Sequence, residues 1–240
     1  MIETFTALLL AHLLADFVFQ TRWIAANKRR PGVLALHGAI VLALAQAALG
    51  RVDAPALILL ALAHVAIDAA KRRLAPTGPG GFVADQGAHL ATLAALALWA
   101  PDLFAGGIWG RDPDLAARLP AVMAYAAGAI LAIRAGGFAV GELMRDYQHA
   151  DLPQGLPNGG RMIGHLERAV IFLLILAGEP GGIGFLIAAK SVLRFDTASK
   201  GQHASEYVII GTLASFGWAI AAGHATLWLA ALLPPLPGLR

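Results

Sequence analysis

Residues 3–20 read ETFTALLLAHLLADFVFQ. At roughly 1.5 Å per residue a helix of this length approaches the ~30 Å of bilayer hydrocarbon, and the run is apolar enough to remain there. Two residues break its character, His12 and Asp16. They stand four apart, so on an α-helix they share a face, one turn from each other. Both features, a spanning length and an i, i+4 imidazole–carboxylate pair, recur along the chain.

Apolar runs follow at 32–50, 54–71, 82–100, 118–138, 162–178, 182–195 and 206–233, punctuated by Gly and Pro at Pro31-Gly32, Pro76 to Gly81, Pro101, Pro153 to Gly160 and Pro180 to Gly182. Of 240 residues, 58% are hydrophobic and 14% charged, where soluble domains carry about a quarter charged. The expected fold is all-α, a polytopic transmembrane helical bundle of roughly seven or eight spans with little soluble mass. The run at 182–195 is too short to cross upright and is expected to be re-entrant or tilted; the tail beyond Gly223 is expected to lie in the interface. The whole chain, 1–240, reads as one membrane domain, with a four-helix half at 1–100 and a second helical half at 101–240. No cysteine is present, which excludes disulfides and thiolate metal sites. Glu3 in place of a basic n-region, and no small-residue cleavage site, argue against a cleavable signal peptide.

Basic residues set the orientation. The first loop carries Arg22, Lys28, Arg29 and Arg30, and the third carries Lys71, Arg72 and Arg73. The second loop has Arg51 against Asp53, and the fourth sets Arg111 and Arg118 against Asp102, Asp112 and Asp114. Odd loops are therefore expected on the cytoplasmic side and the N-terminus outside. A net charge of +3 spread over short loops is how membrane topology is written, and it argues against nucleic acid as a partner. Trp23, Trp99, Trp109 and Trp228 fall near span ends, as an aromatic belt requires.

Ionisable side chains within spans cost about 2.5–3.5 kcal/mol each on insertion scales, so they are functional candidates by default. The first four spans hold His12, Asp16 and Gln20; His37; His64 and Asp68, followed by Lys71; and Asp85, Gln86 and His89. His12–Asp16, His64–Asp68 and Asp85–His89 are all i, i+4 pairs. Alternating helix direction brings them, with His37, to one depth near the cytoplasmic side. One such pair is as readily a helix–helix hydrogen bond as a ligand set. Three pairs levelled in depth point to a divalent metal held by His12, Asp16, His37, His64, Asp68, Asp85 and His89: zinc first, then manganese or iron.

The second half holds Arg134, Glu142, Arg145, Glu167, Arg168, Lys190, Arg194 and Glu206. For most of them positive-inside anchoring and Glu–Arg pairing is the simpler reading. Lys190 and Arg194 stand four apart around Ser191, near Gly181, Gly182 and Gly184, an arrangement suited to an anionic group. His149, His165, His203 and His224 read as loop or interface residues.

The strings HLLADFVFQTRWIAANK (12–28), LHG (36–38), HVAIDAAK (64–71), DQGAHL (85–90), GHLERAVIFLLILAG (164–178), IGFLIAAKSVLRF (183–195) and EYVIIGTLASF (206–216) resemble the DUF 3307 family. The resemblance implies a small multi-pass protein of the bacterial inner membrane and brings no reaction with it. More loosely, the HxxxD pairs are similar to those of membrane-bound metal-dependent hydrolases and to the intramembrane zinc site of cation-diffusion transporters.

Two functions fit. In a membrane-embedded hydrolase the metal activates water, with Asp16 or Asp85 as general base. Lys71 stabilises charge, and Gln20, Gln86, Arg168, Lys190 and Arg194 hold a phosphorylated or lipidic substrate. In a divalent-cation or proton-coupled transporter the same His and Asp residues bind ions transiently. The usual site of transport lies at the midplane, often between inverted repeats; the slab near one face and the absence of a visible repeat favour the hydrolase. A non-catalytic membrane protein is the third expectation.

Overall fold

The computed structural model describes residues 1–74, 78–147, 156–193 and 202–236. Arg194 and His149 lie outside the described residues. Helices account for almost all of the remainder, and no strand occurs among the described residues. Four helical runs are long and apolar enough to cross a membrane: Ile2–Phe19, Pro31–Leu49, Pro113–Tyr147 and Ser205–Ala231.

The chain divides into two compact units, Met1–Ile130 with Trp228–Arg240, and Leu131–Leu227. In the first, α1 (Ile2–Leu14) runs into a π-turn at Ala15–Phe19, and a short α2 (Arg22–Asn27) follows. Then come α3 (Pro31–Leu49), α4 (Pro55–Leu74), α5 (Gly78–Trp99), a single turn α6 (Ile108–Arg111) and α7 (Pro113–Ile130). Local chemistry sets these limits. Thr21 caps α2 by accepting from the Ile24 amide at 3.2 Å. Pro31 opens α3, where a missing N–H costs nothing. Gly50 closes α3 in the left-handed region, φ 61°, and any Cβ there would stand 2.6 Å from the Trp109 ring.

Neighbouring helices form a closed ring: α1 packs on α3, α3 on α4, α4 on α5, and α5 back on α1, with α7 against the outer side of α1. One end of the ring is apolar. Leu8, Leu57 and Leu49 are fully buried there, with Ala11, Leu60, Leu93 and Leu96 beside them. Pro101 O and the Phe104 amide both bond to the Thr4 hydroxyl, at 2.7 and 3.2 Å, tying the loop after α5 to α1. The other end of the ring is polar. Those polar residues are why α4 and α5, though long, are not among the four runs apolar enough to span.

The second unit begins with a π-turn at Leu131–Ala135 and continues through α8 (Gly136–Met144), α9 (Gly159–Leu176), α10 (Gly182–Leu193) and most of α11 (Gln202–Ala231). Ile171, Ile175, Ile183, Phe216 and Ala219 make its core. The run read at 182–195 is here a helix of 12 residues.

Candidate metal centre

The polar end of the first unit is assembled from four helices. Asp16 lies in the π-turn, where the Gln20 amide bonds to Ala15 O at 2.9 Å and closes the wider i→i+5 ring. That extra residue changes the register after Leu14, leaving Asp16 and Phe17 buried while Val18 and Phe19 turn outward. His37 comes from the first half of α3, His64 and Asp68 from the middle and second half of α4, and Asp85 and His89 from the first half and middle of α5. α3 can approach α4 because Gly38 has no side chain; a Cβ there would lie 2.6 Å from Val65 Cγ2.

All seven side chains anticipated as ligands are buried: His12, Asp16, His37, His64, Asp68, Asp85 and His89. The structure brings them together. His37 Nε2 stands 3.0 Å from His64 Nε2, and Asp16 Oδ1 lies 3.2 and 3.3 Å from those two atoms. Asp68 Oδ2 lies 3.6 and 3.7 Å from the same pair. Two donor triangles therefore share the His37–His64 edge. Ligand atoms on a tetrahedral ion bound at about 2.0–2.1 Å are about 3.3–3.4 Å apart, so the Asp16–His37–His64 triangle has the dimensions of one face. Two imidazole nitrogens at 3.0 Å also require a proton or a cation between them, since facing lone pairs repel. Three overlapping groups have donor atoms within 4.8 Å of one another: His12, Asp16 and His64; His37, His64 and Asp68; Asp68, Asp85 and His89.

Two lysines anticipated in different roles close on the carboxylates. Lys71 Nζ is 2.6 Å from Asp85 Oδ2, and Lys28 Nζ is 2.7 Å from Asp68 Oδ2. In the sequence Lys28 marks only topology. Its signal was that AANK ends at Lys28 as DAAK ends at Lys71, both at the polar end of the ring. Gln86 donates to Asp85 Oδ2 at 3.1 Å and faces His12 Nε2 at 3.2 Å, so it orients two members of the cluster. Gln20 stands at the end of the π-turn. Beside the cluster Arg29, Arg72 and Arg73, with Pro31, Leu34 and Ala69, line an open cleft of about 410 Å³ that has no acidic lining residue among the described residues. On the apolar side His12, His64 and His89 border a cavity of about 10 Å³, the size of one water.

In the second unit Arg168 and Lys190 both meet protein partners. Arg168 is buried, donates twice to Ile133 O at 3.1 and 3.2 Å, and reaches Ser215 Oγ at 2.9 Å. Lys190 pairs with Glu167 at 2.8 Å and lies over the Phe216 ring.

Buried imidazoles and carboxylates thus converge inside a ring of apolar helices, in groups of the donor types that divalent cations accept. Residues 4–105 match the model of a family described as protein of unknown function (DUF3307), and over that stretch the chain resembles this family. The match takes in every donor of the cluster and stops short of the motifs at 164–178, 183–195 and 206–216. No curated protein and no solved structure matches the chain.

Proposed function

We propose that this protein is a metal-dependent hydrolase of the bacterial inner membrane. It crosses the bilayer seven or eight times and acts on an anionic, phosphorylated or lipidic substrate at the cytoplasmic side. The observation that carries the proposal is the Asp16–His37–His64 triangle: three protein donors at tetrahedral spacing leave a fourth position for water, which is the pattern of catalytic rather than structural zinc. Manganese or iron suit the same donors. Held by Asp16, His37 and His64, such an ion would supply a water of pKa about 7 as nucleophile for the phosphorus or acyl centre. A neighbouring carboxylate, Asp68 or Asp85, would take the proton from that water and return it to the leaving oxygen as its bond breaks. The cleft of Arg29, Arg72 and Arg73 beside the cluster supplies the attraction for an anion. That reading moves substrate recognition from Lys190, Arg168 and Arg194 to the first unit. Outward-facing Leu62, Leu98, Trp99, Phe185, Leu213 and Trp228 agree with lipid contact.

The test is turnover by the full chain in nanodiscs, offered phospholipids and isoprenoid phosphates. We expect hydrolysis that stops on chelation and returns with zinc or manganese. The transporter reading has one observation of its own: the three donor groups overlap through His64 and Asp68 and so form a string, as an ion path would. Metal-dependent cation flux into proteoliposomes, with no turnover of any of these substrates, would replace the hydrolase by the transporter.

A further inference from the structure

We infer that the cluster binds a second divalent cation, on Asp68, Asp85 and His89, and that this ion is taken up together with the anionic substrate. The inference rests on the first ion at Asp16, His37 and His64 and extends it.

The first ion leaves acceptors behind. Asp85 Oδ1, His89 Nε2 and His12 Nδ1 are buried and have no hydrogen-bond partner. Their protonation is settled by their other contacts. His89 Nδ1 lies 2.9 Å from the Asp85 carbonyl, which can only accept, so Nδ1 carries the proton and Nε2 presents a lone pair. This is how a metal-ligating imidazole is held by its outer hydrogen bond. Asp85 is held in the same way: Lys71 and Gln86 both bind Oδ2, which leaves Oδ1 free to coordinate. Lone pairs without donors, buried at 1% exposure for His89 and 8% for Asp85, lack a cation rather than an acceptor. One donor atom each from Asp68, Asp85 and His89 already lies within 4.8 Å of the others.

Charge decides when the ion enters. Asp16, Asp68 and Asp85 contribute three negative charges, and Lys28 and Lys71 return two positive ones. With neutral imidazoles the cluster is at −1, and one divalent ion takes it to +1. A second would take it to +3 in a low-dielectric interior, where unbalanced charge is costly. A hydroxide and a phosphate oxyanion offset that excess, so the second ion and the anion bind cooperatively. Two ions, one on Asp16, His37 and His64 and the other on Asp68, Asp85 and His89, would then act as a clamp on the attacked centre.

The experiment is a metal titration of the chelator-stripped full chain in detergent, with zinc and with manganese, with and without inorganic phosphate. We expect one tightly bound ion, and a second whose affinity rises at least tenfold with phosphate. Asp85→Asn and His89→Gln should each lose the second ion and keep the first. Manganese resonance of the unsubstituted protein needs no variant: the six-line signal of the first ion should weaken as the second couples to it. Saturation at one ion with phosphate present, and no loss of signal, would overturn the second site and leave the proposed hydrolase standing. Failure to bind any ion would remove both.

Discussion

Both units bury charge among apolar helices, but they satisfy it differently. In the second unit Glu167 meets Lys190, and Arg168 donates to the carbonyl of Ile133 within the π-turn at Leu131–Ala135. Trp218 does the same for Leu131 O at 2.8 Å. In the first unit the π-turn at Ala15–Phe19 presents Asp16 to two histidines, and every buried side-chain atom without a partner among the described residues belongs to this unit: His12 Nδ1, Gln20 Oε1, His37 Nδ1, Asp85 Oδ1 and His89 Nε2. Buried charge alone is therefore a poor marker of function here. What separates a site from a structural network is the lone pair left without a donor.

The contrast breaks most visibly at a proposed ligand. His64→Ala removes one of the two atoms shared by both donor triangles and should weaken the proposed metal binding by more than about 100-fold, since even outer partners of a metal site are worth 10–100-fold. Metal analysis after dialysis against a weak chelator reads this directly. Retention of a full equivalent would mean that the triangle is a hydrogen-bonded cluster like that of the second unit.

Much of this was legible in the sequence, for a physical reason. Helical periodicity is strict, so i, i+4 spacing put His64 beside Asp68 and Asp85 beside His89, and alternating helix direction levelled all seven donors. The parts that stayed hidden depend on tertiary partners. Neither π-turn has a residue signature: ADFVF and LAIRA contain no glycine or proline. Spacing along one helix is visible in sequence and sets Lys190 beside Arg194, whereas Glu167, its partner in the fold, lies on another helix. An arginine in a span, such as Arg168, looks functional in sequence until its acceptor, a backbone carbonyl, is seen.

Arg168→Met should produce the opposite signature to His64→Ala. Ile133 O and Ser215 lose their donor, and a buried unsatisfied carbonyl costs about 1–3 kcal/mol. The thermal midpoint in detergent should fall while bound metal per folded chain is unchanged. Loss of metal with no loss of stability would place Arg168 with the centre after all.

The smallest effect expected is at Gly38, where the fold and the site meet. Gly38 follows His37, and Val65 follows His64, so the contact that lets α3 approach α4 lies one residue from the 3.0 Å edge between the two ligand nitrogens. Val65 is β-branched and has few alternative rotamers, so a new methyl is met by movement of a helix rather than of a side chain. Gly38→Ala should widen the His37–His64 edge and weaken the first ion roughly tenfold, about 1.4 kcal/mol, with the helical content intact. Val65→Ala, which frees the space, should by itself leave affinity nearly unchanged. In the double variant the space is available to the new methyl, and most of the tenfold should return, a coupling that independent sites do not show. If Gly38→Ala binds metal as tightly as the parent, the edge is set by the ion and not by helix packing. If the double variant fails to recover, the loss at Gly38 came from elsewhere in α3, and the close approach of the two helices is not what aligns the ligands.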